Sequence, residues 1–202
     1  IDKPVKEDEM RKVKTILDKS TSEAYYDPSM DFSGLMPEGM YKAHATDLVI
    51  KENIVIKNKY ISDIYEVKFE IAPENEENTY EDNGNEISGK TFVGKEVRSK
   101  GFFRFKKPDK TTHPNLEENS GSNKSYMELI QSFGIVSEPD SEGRYFLPNV
   151  NESDVVGMPV EIEVKHNEWT NSEGEKVKTP KAVAIFRWEG QAKKDLTEDL
   201  PF

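Results

Sequence analysis

Gly94–Lys107 reads GKEVRSKGFFRFKK, and the reading of the whole chain turns on how this stretch is laid out. Between Lys90 and Thr112 there are eight Lys or Arg against two acids, a local charge near +6 in a chain of net charge −11. Lys100, Phe102, Arg104 and Lys106 alternate with Gly101, Phe103 and Phe105. A strand sends alternate residues to opposite faces. The spacing therefore predicts an open face with three cations and a ring, and a core face with two Phe. Cations interleaved with a ring suit a polymer that has both phosphates and flat bases. The plainer reading is a strand whose Lys and Arg are simply solvated.

Upstream, Tyr60–Ile71 reads as a strand with Ile61, Tyr65, Val67, Phe69 and Ile71 on one face. Before it, Gly39–Ile56 is strand material in which Tyr41, Ala43 and Ala45 share a parity, and Lys57–Lys59 is the turn. Ala72–Gly89 holds six acids, Pro73 and several Asn, with almost nothing to bury, and is expected to be a loose loop. Lys90–Lys106 is then the third strand. Pro108–Asn123 is rich in turn formers. Downstream the period changes to that of a helix, with Tyr126, Leu129, Ile130 and Phe133 on its buried face. Ser125 and Glu128 have capping-box spacing, and Gly134 can end the helix. Asn151–Gly157 suggests a helical turn. Met158–Trp169 is a fourth strand, Thr170–Glu175 a hairpin tip and Val177–Trp188 a fifth strand, in which Pro180 fits an edge or a bend. Near the start, Pro4–Ser20 reads as a helix with Met10, Val13, Ile16 and Leu17 on one face.

This order predicts a mainly β fold: a five-stranded OB-fold barrel with a helix between strands 3 and 4 and an N-terminal helix. The expected organisation is an N-terminal helix and linker over 1–38, the barrel over 39–190 with the acidic insertion 72–89, and an acidic tail over 191–202.

The acidic composition does not oppose a polyanion partner. Ala72–Gly89, His113–Ser122 and Ser137–Glu142 together carry eleven acids and no Lys or Arg, equal to the whole net charge. Beyond a Debye length of about 8–10 Å such loops are screened, so a groove elsewhere can stay positive. There is no Cys, which excludes disulfides and thiolate chemistry. No apolar run reaches the ~20 residues of a membrane span, and no secretory pattern opens the chain, so a cytoplasmic protein is expected. No phosphate-loop, hydrolase, zincin or dinucleotide motif is present, and His44, His113 and His166 lack metal-ligand spacing. Neither an enzyme, a metal site nor a cofactor is expected.

The candidate nucleic-acid contacts are Lys57, Lys59, Arg98, Lys100, Phe102, Arg104, Lys106, Lys107, Trp169, Lys176 and Lys178. Phe102 and Trp169 are chosen because both fall on the parity opposite to the apolar one. Trp169, Lys176 and Lys178 flank the hairpin between strands 4 and 5. Lys57 and Lys59 lie at the turn between strands 1 and 2, and in OB barrels these two loops border the ligand groove. The segment Asp195–Phe202, DLTEDLPF, has acids followed by a ring stiffened by Pro201, a pattern that fits an apolar pocket with a basic rim. Asp195, Glu198, Asp199, Leu200, Pro201 and Phe202 are its candidate partner-binding residues.

Several short matches follow this order: GMY at Gly39–Tyr41, FEI at Phe69–Ile71, GK at Gly94–Lys95, GFFRF at Gly101–Phe105, LIQSFGI at Leu129–Ile135, VVGMPVEIEV at Val155–Val164 and EDLPF at Glu198–Phe202. With them the chain resembles phage-encoded single-stranded DNA-binding proteins. The resemblance implies sequence-tolerant coating of single-stranded DNA in a bacterial host cytoplasm during phage DNA replication, recombination and repair. It also implies recruitment of replication and recombination proteins through the acidic tip. The residues leave two alternatives open: an OB-fold adaptor or recombination mediator acting mainly through protein contacts, and a non-catalytic subunit of a DNA-processing enzyme.

Overall fold

Alternation of apolar and polar residues builds the long strands. β1 (Gly39–Ile56) buries Tyr41, Ala43 and Ala45, and β2 (Tyr60–Ile71) buries Ile61, Tyr65, Val67, Phe69 and Ile71. The computed structural model describes residues 34–107, 123–135 and 137–190, all within the unit Ser33–Phe202. The helix expected over Pro4–Ser20, most of the loop at Pro108–Asn123 and the tail lie outside the described residues.

β1 pairs antiparallel with β2 and with β7 (Pro159–Thr170). β7 pairs antiparallel with β8 (Lys176–Arg187), β8 runs parallel to β5 (Glu96–Ser99), and β5 pairs antiparallel with β2. These five strands close into a barrel of OB topology. β6 (Phe102–Lys106) follows β5 along the same edge of β2. The interior is filled by Tyr65, Val67 and Phe69, by Val160, Ile162 and Val164, and by Tyr126, Leu129 and Ile130 of α1 (Lys124–Ser132). Each such Leu or Ile contributes roughly 1.5–3 kcal/mol by leaving water.

Three local expectations are corrected. The third expected strand, Lys90–Lys106, is a 3-10 turn at Gly89–Phe92 followed by β5 and β6, broken at Gly101 (φ 96). The acidic insertion is not a loose loop. It forms a 3-10 turn at Pro73–Asn75 and a hairpin of β3 (Thr79–Asp82) and β4 (Asn85–Ser88). Asn83 (φ 52) and Gly84 (φ 82) make its turn, the conformation that Asn-Gly favours. Tyr80 anchors the hairpin: its ring lies 4.2 Å from that of Tyr41, and its hydroxyl donates to the carbonyl of Met40. Buried Asn75 donates to the carbonyls of Lys42 and Ala72 and accepts from the amide of Lys42. A Cβ at Gly89 would stand 1.9 Å from the Asn75 carbonyl oxygen, so that turn requires glycine. With these added strands and the divided one, α1 follows β6 and α2 (Glu152–Val155) precedes β7, rather than a helix lying between the third and fourth strands.

The cap of α1 also differs from expectation. Asn123, not Ser125, precedes the helix, and its side chain is engaged elsewhere: Oδ1 accepts from the amide of Phe105 and Nδ2 donates to its carbonyl. The other end is as expected. Gly134 (φ 76) donates to Gln131 and Ile135 donates to Ile130, the paired bonds of a glycine-terminated helix.

Candidate nucleic-acid interface

The break at Gly101 decides which side chains of the basic stretch are available. β2 pairs with β5 through Lys68↔Arg98 and with β6 through Ile64↔Phe103, so the register slips by one residue between them. Ser99 Oγ accepts from the amides of Val67 and Gly101 and holds this bulge. A one-residue slip moves every later side chain to the other face. Arg98 and Lys100 are exposed before the bulge; after it, Phe103 and Phe105 take the outer face, and Phe102, Arg104 and Lys106 turn inward.

The expected open face of Phe102, Arg104 and Lys106 is therefore corrected. Phe102 is a core ring, 6% exposed. Lys106 Nζ lies 2.7 Å and an Arg104 nitrogen 3.5 Å from Oδ2 of Asp63, whose side chain is only 3% exposed. Arg104 also donates through Nε and a terminal nitrogen to the carbonyl of Leu147, and lies over the ring of Tyr126. Asp63 further accepts from the amide of Asn53. These cations neutralise a buried carboxylate and tie a loop to the barrel. Asp63 was the overlooked partner; it shares the inward parity of Ile61 and Tyr65, where an unpaired acid would be costly.

On the outer face the structure assembles a different set. Glu66, Arg98, Ser99, Lys100, Phe103, Asn167 and Lys181 line an open groove of about 420 Å³. Register puts Lys68, Arg98, Lys181 and Lys165 in one row across four strands. Like charges side by side on a sheet are destabilising. The outer two are relieved by acids: Lys68 pairs with Glu96 at 2.5 Å and Lys165 with Glu163 at 2.9 Å. The bond to Glu163 raises the pKa of Lys165 and keeps it charged. Arg98, Lys100 and Lys181 have no ion pair among the described residues.

A line of rings leaves this groove. Phe103 and Phe105 are nearly parallel, 17° between planes and 6.0 Å between centroids, and Tyr60 meets Phe105 edge-on at 6.1 Å. Tyr60 adjoins the turn of exposed Lys57 and Lys59, where Lys57 and Asn58 both have positive φ. Lys107 is exposed at the end of β6. At the other side, Trp169 is 48% exposed and shares the outward parity of Asn167, opposite Val177. Lys176 and Lys178 alternate with Val177 onto the other side of the hairpin, where both approach Glu168. They do not join Trp169. Lys181 and Asn167 were not predicted, because only the parallel pairing of β5 with β8 brings them to the groove.

A closed five-stranded OB-type barrel is an architecture common among nucleic-acid-binding proteins. No family model, no curated protein and no solved structure matches the chain. Among the described residues, no helix is long and apolar enough to cross a membrane, and no cluster of His, Asp or Glu could hold a metal ion.

Proposed function

We propose that the chain is a sequence-tolerant single-stranded DNA-binding protein with no reaction of its own. One observation carries this reading: Arg98, Lys100 and Lys181, without counter-ions among the described residues, converge beside Phe103. Arg98 and Lys100 lie on the β2/β5 face that OB barrels use for oligonucleotides, and Lys181 joins them from β8. Phosphates would neutralise the cations and release counterions, while unstacked bases would lie on Phe103, Phe105, Tyr60 and Trp169. A duplex keeps its bases paired and cannot use the rings. The resemblance supports a place in phage DNA replication and recombination, with Asp195–Phe202 as the recruiting segment.

Titration of a labelled mixed-sequence single strand, and of a duplex of equal length, tests the reading. The single strand should bind more tightly, with a logarithmic salt slope near −2 from three phosphate contacts at about 0.7 each. Equal or tighter duplex binding would overturn it.

A further inference from the structure

The cationic groove contains one residue that repels phosphate. Glu66 lines it beside Arg98, Lys100 and Lys181. Its Oε1 lies 2.6 Å from Nζ of Lys51, and its Oε2 accepts no hydrogen bond among the described residues. It stands beside the bulge: a Cβ at Gly101 would lie 3.6 Å from Cγ of Glu66, ordinary contact distance, and 3.0 Å from Ile64. The Glu66 stem thus lies over Gly101, and Lys51 holds its head. Across the groove the side-chain amide of Asn167 makes no hydrogen bond among the described residues.

Ile64 pairs with Phe103, so Glu66 is the next outward residue of β2 and the diagonal neighbour of that ring. Such diagonals span about 7–8 Å. A base stacked on Phe103 would bring its edge to the carboxylate, while the strand's phosphates stay with the cations. A carboxylate only accepts hydrogen bonds. Guanine offers N1–H and the N2 amino group side by side, matching two carboxylate oxygens. Cytosine and adenine offer one amino donor beside a ring-nitrogen acceptor. Thymine offers N3–H between two carbonyl oxygens, which the carboxylate repels.

We infer that Glu66 gives this groove a base preference, favouring guanine and disfavouring thymine at the position over Phe103. The preference is a bias laid over otherwise tolerant binding, and it rests on the single-strand reading above.

The test compares three oligonucleotides of equal length: oligo(dT), alternating dT/dG, and alternating dT/dI, in which inosine stacks like guanine but lacks the N2 amino group. The native protein should bind dT/dG roughly five- to tenfold more tightly than oligo(dT), the low end for a bidentate base contact, with dT/dI between. Glu66→Gln is close in shape and offers one donor and one acceptor, which fits thymine. It should raise affinity for oligo(dT) by removing a negative charge and lose the paired contact to guanine, bringing the dT/dG to dT ratio to about one or below. Equal native affinities for dT/dG and oligo(dT), or a ratio that Glu66→Gln leaves unchanged, would overturn the inference while leaving the single-strand reading intact. No binding to any of the three would overturn that reading, and this inference with it.

Discussion

Two pairs of cations stand within nine residues on one stretch of chain, and their roles differ. Arg98 and Lys100 precede Gly101; they are exposed, line the outer groove and have no ion pair among the described residues. Arg104 and Lys106 follow it, face inward and surround buried Asp63. Charge content is the same on both sides of the bulge, but only the first pair is free to meet a ligand. The difference teaches that a basic run in a strand reports available charge only once the register is known.

The largest expected effect breaks the inward pair. Asp63→Ala leaves two cations without their shared carboxylate and should cost about 3 kcal/mol of stability, the low end for a broken buried pair because Lys106, 31% exposed, can swing to water. Urea unfolding measures this, and the salt slope of binding should not move. Next come the rings of the outer face. Phe103→Ala or Trp169→Ala should each weaken single-strand binding by roughly 1–3 kcal/mol with stability little changed. For Trp169 the fluorescence change on binding provides a second readout, taken in a Trp188→Phe background. Gly101→Ala attacks the bulge that separates the two regions. A side chain at φ 96, with its Cβ 3.0 Å from Ile64, should cost about 1–2 kcal/mol of stability and weaken binding by misplacing Phe103. The smallest effect sharpens the contrast on the hairpin. Lys176→Ala with Lys178→Ala should barely alter affinity, since both side chains lie opposite Trp169 and next to Glu168.

Much of the barrel was legible because its strands alternate cleanly. Val160, Ile162 and Val164 inward, and Glu161, Glu163 and Lys165 outward, needed no tertiary information. The buried face of α1 was equally clear from the spacing of Tyr126, Leu129 and Ile130. What escaped were local devices written in single residues. Asn83-Gly84 marks a hairpin within an acidic segment whose charge masked it. Gly101 inside a strand marks a bulge, and missing it inverted the parity of Phe102 to Lys106. The outward parity of Trp169 follows the simple alternation of β7, because the register shift at Glu163/Val164 places its extra residue, Val183, on β8. The groove itself was only partly legible. Arg98 and Lys100 were identified from local charge, whereas Lys181 and Asn167 reach them through pairing between strands more than sixty residues apart.

The comparison is tested most directly by the salt dependence of single-strand binding in two double variants. The slope reports the number of neutralised phosphates and is insensitive to partial loss of active protein. Arg98→Gln with Lys181→Gln should make the slope shallower by about 1.4, near 0.7 for each lost contact, whereas Arg104→Gln with Lys106→Gln should leave it unchanged. A slope that changes only in the second variant would place the nucleic acid on the other face of β6 and contradict the account.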